Sequence, residues 1–126
     1  MVSIPKDLKY TEEHEWLKIE GDEVKYGITD YAQEELGDIV YVELPEIDED
    51  VEKGELIGVV ESVKTVSDLF APISGKITRV NDDLEDTPEL INEEPYADGW
   101  IAFIKYEDGD QIDDLLSAEE YESEIE

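Results

Sequence analysis

Gly58-Val59-Val60-Glu61-Ser62-Val63-Lys64-Thr65-Val66-Ser67-Asp68-Leu69-Phe70-Ala71-Pro72-Ile73-Ser74-Gly75 is the stretch on which the fold is read. From Leu56 to Phe70 it is rich in β-branched and aliphatic residues, and nothing before Pro72 forces a loop. As one strand it would run to about 15 residues, well beyond the usual ~5–6. A run of that length is expected to fold back on itself, and Lys64 lies close to its middle. The resulting hairpin, over about residues 55–71, holds a primary amine at its tip, away from the body. The turn lacks the Gly or Asn-Gly that tight hairpins favour, so the fold-back rests on length and spacing.

Outward from the hairpin, the chain reads as short strands with fewer helices. Lys18-Ile19-Glu20 and Glu23 to Ile28 flank Gly21-Asp22 as a second hairpin. A short helix is expected next, with Asp30 as N-cap, Gln33 completing a capping box, Gly37 as the stop, and Ala32 and Leu36 on its inner face. Ile39 to Leu44 is a strand ended by Pro45, and Lys76 to Val80 is one broken by Asn81-Asp82-Asp83. Thr87-Pro88-Glu89-Leu90-Ile91 has the form of a short helix with Thr as N-cap and Pro at the first position. Trp100 to Tyr106 is an apolar strand. A C-terminal helical segment follows over about residues 110–126: Asp110 leads Ile112, Leu115 and Leu116, and Ser117 with Glu120 forms a capping box before Tyr121 and Ile125. Pro45 to Glu55 and Pro72 to Asp83 echo each other on either side of the central hairpin. The pattern spells a mainly β sandwich or small barrel with short peripheral and C-terminal helices.

Composition narrows the function. A chain of 126 residues is sized for one domain. Its 38 Asp and Glu against 9 Lys and Arg give a net charge of −29, which repels phosphate backbones and anionic membranes. No nucleic-acid or membrane partner is therefore expected, and no stretch approaches the ~20 apolar residues of a membrane span. The N-terminus has neither a secretory pattern nor an Arg-rich transit pattern, so a cytoplasmic location is expected. With no cysteine there are no disulfides, thiol nucleophiles or thiolate metal sites. The one histidine opens His14-Glu15-Trp16-Leu17-Lys18, which fails the zinc-protease pattern because position 18 is Lys. The acidic run Glu46 to Gly54 fails as a calcium loop: counted from Asp48, its glycine falls at the seventh place instead of the sixth, and Val59 stands where Glu is needed. No metal is expected. The acidity itself has two readings, a partner-binding surface or adaptation to molar salt, and the spread of acids along the whole chain favours the second. At 1 M salt the Debye length is about 3 Å, so self-repulsion is screened.

Glu61-Ser62-Val63-Lys64, then Ser67-Asp68, then Ala71-Pro72-Ile73-Ser74-Gly75 resembles the lipoyl-lysine segment of the glycine cleavage system H protein family. The likeness extends over nearly the whole chain. Leu8-Lys9-Tyr10, His14-Glu15-Trp16, Gly27-Ile28-Thr29-Asp30, Ala32-Gln33, Gly37-Asp38 and Val42-Glu43-Leu44-Pro45 follow in the family's order. So do Pro88-Glu89-Leu90-Ile91-Asn92, Pro95-Tyr96 and Gly99-Trp100. The resemblance implies a barrel-sandwich hybrid of the lipoyl/biotinyl hammerhead type, with residues 1–126 as a single lipoyl-carrier domain. It implies lipoate covalently attached to Lys64, with Glu61, Ser62, Ser67 and Asp68 framing the hairpin for the lipoate-attaching enzyme. It also implies a non-catalytic, monomeric carrier that takes an aminomethyl group from the pyridoxal-phosphate glycine decarboxylase. The tetrahydrofolate-dependent aminomethyltransferase then receives that group, and dihydrolipoyl dehydrogenase receives the electrons. His14, Glu15 and Asp68 match positions near the family's cleft for the loaded arm. Glu13 and Thr65 depart from the family's usual residues there.

Other classes fit the same residues less well. A biotin carrier presents its lysine between methionines, whereas this chain has Val63-Lys64-Thr65 and only the initiator Met. A lipoyl domain of a 2-oxo-acid dehydrogenase has Asp before the lysine and a long linker, neither of which is present. An enzyme would need groups this chain lacks: there is no Cys, no phosphate loop and one His. An unmodified acidic interaction module is the remaining alternative, and mass measurement separates all of them.

Overall fold

A computed structural model describes residues 2–125. Nine strands form two antiparallel sheets. The larger has the order β1 (Lys9–Tyr10), β2 (Glu15–Glu20), β3 (Glu23–Ile28), β9 (Ala102–Tyr106), β8 (Gly75–Val80), β5 (Asp50–Val51). The smaller has the order β4 (Ile39–Glu43), β6 (Leu56–Ser62), β7 (Val66–Phe70). Five short helices lie at the periphery: α1 (Asp30–Leu36), α2 (Asp83–Asp86), α3 (Leu90–Glu93), α4 (Asp110–Asp113) and α5 (Ala118–Ile125). The mainly β architecture with peripheral and C-terminal helices is the expected one. The sheets are open-edged, and closure into a barrel is not needed to bury the core.

Period-two alternation sends Leu17, Val24, Tyr26, Ile77 and Ile104 of the larger sheet into one core with Ile39, Val42, Val60 and Leu69 of the smaller. Trp16 turns to the opposite face, where it joins Leu8, Tyr10, Ala118 and Tyr121 in a second cluster under α5. Tyr10 and Tyr121 stack there with ring centroids 4.7 Å apart. Tyr10 and Leu116 also exchange two backbone hydrogen bonds of 2.9 and 2.8 Å, tying the last segment of the chain to the first strand. Both expected hairpins form: Gly21 takes φ 66° in the β2–β3 turn, and β6 pairs with β7 from Leu56↔Phe70 to Glu61↔Val66. The two echoing segments meet, since β5 pairs with β8 through Asp50↔Lys76 and Val51↔Gly75.

Several boundaries differ from the sequence reading. The N-cap of α1 is Thr29, whose side chain accepts from the Ala32 N–H, while Asp30 is already helical and accepts from the Gln33 amide at 2.7 Å. Gly37 is the C-cap, as expected. The acidic run after Pro45 is interrupted by β5, because Val51 buries its side chain. Asn81-Asp82-Asp83 ends β8 but also starts α2, which buries Leu84. The Thr87–Ile91 helix begins later, at Leu90, with no side-chain cap, and the strand expected from Trp100 begins at Ala102. The Ser117–Glu120 capping box forms reciprocally, through Ser117 N–H to the Glu120 carboxylate at 2.9 Å and Glu120 N–H to the Ser117 hydroxyl at 3.2 Å.

Candidate functional site

Lys64 occupies the tip of the β6–β7 hairpin, exposed together with Val63, Thr65 and Val66. The missing turn glycine is replaced by a hydroxyl. Ser62 Oγ accepts from the N–H groups of Lys64 and Thr65 at 3.2 and 3.1 Å, and the Ser62 N–H donates to the Thr65 carbonyl at 2.8 Å. A side-chain oxygen standing in for a backbone acceptor closes the turn without a left-handed residue at 63–65. The tip is also pinned from the side, since the Val63 N–H donates to the Asp38 carbonyl at 3.0 Å. Among the described residues no carboxylate lies within ion-pair distance of the Lys64 amine. Around it, Val63 and Val66 are 68% and 58% exposed, and Val40 and Tyr41 of the adjacent edge strand 54% and 50%. These four exposed apolar side chains lie on the hairpin and on the strand paired with it.

Beside the hairpin lies a cleft of about 260 Å³ lined by Glu13, His14, Glu15, Tyr31, Glu35, Ser67 and Asp68, with Val60 and Leu69 among its apolar lining. His14, Glu15, Ser67 and Asp68, far apart in sequence, are thus brought to one place. Glu61 and Ser62 are not among the lining residues: Ser62 organises the turn, and Glu61 faces Val66 across the strands. Sequence reasoning missed Tyr31 and Glu35, whose i, i+4 spacing on α1 puts them on one helix face. Four lining carboxyl groups and no lining Lys or Arg suit the cleft to a cationic group.

Glu15 is the buried member. It begins β2 on the same strand face as Leu17, so alternation turns it inward, and it is only 3% exposed. Burial pushes its carboxyl up to about 8, against the opposing pull of hydrogen bonds from Thr11 and the Phe70 backbone. Thr11 holds the loop that leads to it, its hydroxyl accepting from the Glu13 and Glu15 N–H groups, both at 3.2 Å. A larger cleft of about 440 Å³ lies beyond Glu15, between the β1–β2 loop and Leu115-Leu116, but the hairpin tip does not border it.

His14 sits at φ 66°, a left-handed conformation that few non-glycine residues adopt. Its ring lies 4.9 Å from that of Tyr31, and its Nδ1 is 3.0 Å from the Tyr121 hydroxyl. Burial lowers the imidazole's affinity for a proton, and Glu13 and Glu35 raise it in part. Among the described residues no cluster of three or more His, Asp or Glu is arranged to hold a metal ion. No described helix is long and apolar enough to cross a membrane.

A family model described as glycine cleavage H-protein matches residues 8–126. The glycine cleavage system H protein of Staphylococcus carnosus is 56% identical over 98% of both chains. That of Halalkalibacterium halodurans is 55% identical over 99% of this chain and 98% of the relative. Among solved structures, a glycine cleavage system H protein from Mycobacterium marinum superposes with a TM-score of 0.86 at 44% identity, covering 97% of this chain and 98% of that one.

Proposed function

The chain belongs to the glycine cleavage H-protein family, whose members are lipoyl carrier subunits and not catalysts, and from that membership we propose that Lys64 is the residue that carries lipoate. The observation that carries the proposal is the exposed amine, in no ion pair among the described residues, at the tip of a hairpin whose turn is fixed by Ser62. The residues present fit the group: an amide formed there would remove one surface charge without breaking an ion pair. When attached, lipoate supplies a disulfide that takes up an aminomethyl group and electrons and later gives them up. The partners implied are glycine decarboxylase, the tetrahydrofolate-dependent aminomethyltransferase, dihydrolipoyl dehydrogenase and the lipoate-attaching enzyme. Val40, Tyr41, Val63 and Val66 are the apolar contacts offered to them, and Glu61, Ser67 and Asp68 flank the tip for the attaching enzyme.

The cleft is read as the shelter for the loaded arm. Glu15 and Asp68 hold the cationic amine, and the buried Glu15 gives up its proton as the amine enters, because a nearby positive charge favours the carboxylate. Residues 1–126 act as one cytoplasmic, monomeric carrier domain. The net charge of −29 supports a salt-adapted source: among the described residues only Arg79–Glu23 and Lys105–Asp22 form ion pairs.

Intact-mass measurement after expression in a lipoate-proficient host tests the attachment. One lipoyl increment is expected on the native chain and none on Lys64→Arg. A biotin increment, or none on the native chain, removes the reading. Glu15→Ala and Asp68→Ala are expected to shorten the lifetime of the loaded carrier, and an unchanged lifetime removes the assignment of the cleft.

A further inference from the structure

Behind the cleft three side chains form one series of hydrogen bonds. The Thr29 hydroxyl accepts from the Ala32 N–H at 3.2 Å, the Thr29 and Tyr121 hydroxyls lie 2.7 Å apart, and the Tyr121 hydroxyl lies 3.0 Å from His14 Nδ1. Thr29 and Tyr121 are both 0% exposed, so each hydroxyl proton needs an acceptor within the protein.

Two proton arrangements satisfy these distances. In the first, Tyr121 donates to Thr29, and His14 donates from Nδ1 to the Tyr121 oxygen. The Thr29 proton then has no acceptor among the described residues. In the second, Thr29 donates to Tyr121, and Tyr121 donates to His14 Nδ1. Both buried protons are used, and Nδ1 is an acceptor. Leaving a buried hydroxyl proton without a partner is the costlier choice, so the second arrangement is favoured.

We propose that Tyr121 is a positioning residue that fixes His14 as the Nε2–H tautomer, so that the imidazole edge left for the cleft is a hydrogen-bond donor. The groups that face this imidazole are Tyr31 and Glu35 of α1, Glu13 of its own loop and Tyr121 of α5. The consequence rests on the reading of the cleft as the arm's shelter. A donor at Nε2 matches acceptor atoms of an arm, its sulfur or its amide carbonyl, and opposes an ammonium group. The ammonium is then left to Glu15 and Asp68, so the cleft distinguishes one end of its occupant from the other.

His14 is the only histidine, so a ¹⁵N-labelled full-length chain gives one imidazole spin system without assignment. Above its titration midpoint the native protein is expected to show the Nε2–H pattern; an Nδ1–H pattern overturns the proposal. Tyr121→Phe removes the donor that neutral Nδ1 accepts from, so the His14 midpoint is expected to rise by roughly half to one pH unit. Under the opposite arrangement Tyr121 would accept from the charged ring, and the same substitution would lower the midpoint. A fall, or no change in a variant whose backbone spectrum remains native, overturns the proposal. If Tyr121→Phe unfolds the chain, the native tautomer pattern alone decides. These readouts use unlipoylated protein, so failure of the lipoyl reading is recorded separately, by the mass measurement.

Discussion

Gly37 and Lys64 touch across the base of the hairpin tip: a Cβ placed on Gly37 would stand 3.3 Å from the Lys64 Cε. Gly37 also closes α1 at φ 85° and ψ −162°, a region open essentially to glycine alone. One position therefore serves both the helix end and the lysine's resting place. Gly37→Ala is expected to destabilise the protein by about 1–3 kcal/mol and to displace the lysine stem. Urea denaturation checks the first effect, and the Lys64 side-chain NMR shifts check the second.

The Glu15 carboxyl holds its proton up to about 8, well above its value in an unfolded chain. Between the ordinary carboxylate range and about 8 the folded state binds more protons than the unfolded one. Its contribution to stability is therefore present at low pH and lost as pH rises through that window. The slope approaches roughly 1.4 kcal/mol per pH unit for one proton. Glu15→Gln is expected to remove this component, so that native and variant stabilities diverge progressively from pH 5 to pH 8. Parallel curves in urea titrations across that range would contradict the buried, protonated carboxyl.

Tyr26 is 0% exposed, and its hydroxyl is the one buried side-chain polar atom without a hydrogen bond among the described residues. An unpartnered buried hydroxyl is destabilising by about 1–3 kcal/mol, so Tyr26→Phe is expected to stabilise the fold by an amount in that range. Thermal or urea unfolding reads it directly. A loss of stability would mean that the hydroxyl has a partner after all.

With two ion pairs among the described residues against 38 acidic side chains, most carboxylates meet only like charge or solvent. Raising KCl from 0.1 to 1 M shortens the Debye length from about 10 to 3 Å. The melting temperature is expected to climb on the order of 5–10 °C and to continue upward into the molar range. A melting temperature indifferent to salt would remove the salt-adapted reading.

The hairpin was legible because a run from Leu56 to Phe70 is too long for one strand. The device that turns it was not, because only geometry reveals that the Ser62 hydroxyl replaces a glycine. The Ser117–Glu120 box was legible since its chemistry is entirely local. Thr29 and Asp30 are both good caps, and the choice between them falls to a tertiary contact, the Tyr121 hydroxyl over Thr29. The two-residue β5 has no signature of its own and exists because Val51 buries against the core. His14, Glu15 and Asp68 were nominated by resemblance, whereas Tyr121 stands 107 residues from His14, beyond any local pattern.

The two backbone bonds between Tyr10 and Leu116 fasten the C-terminal segment to the first strand, outside the lining of the 260 Å³ cleft. β4, β6 and β7 pair with one another within residues 39–70. Their inward side chains share a core with strands from both ends of the chain, and the Ile39 N–H donates to Asn92 at 2.8 Å. Every residue that lines the cleft lies between Glu13 and Leu69, and α5 reaches it only through Tyr121, behind His14. Losing α5 would take away the brace behind His14 and leave every lining residue of the cleft in the chain.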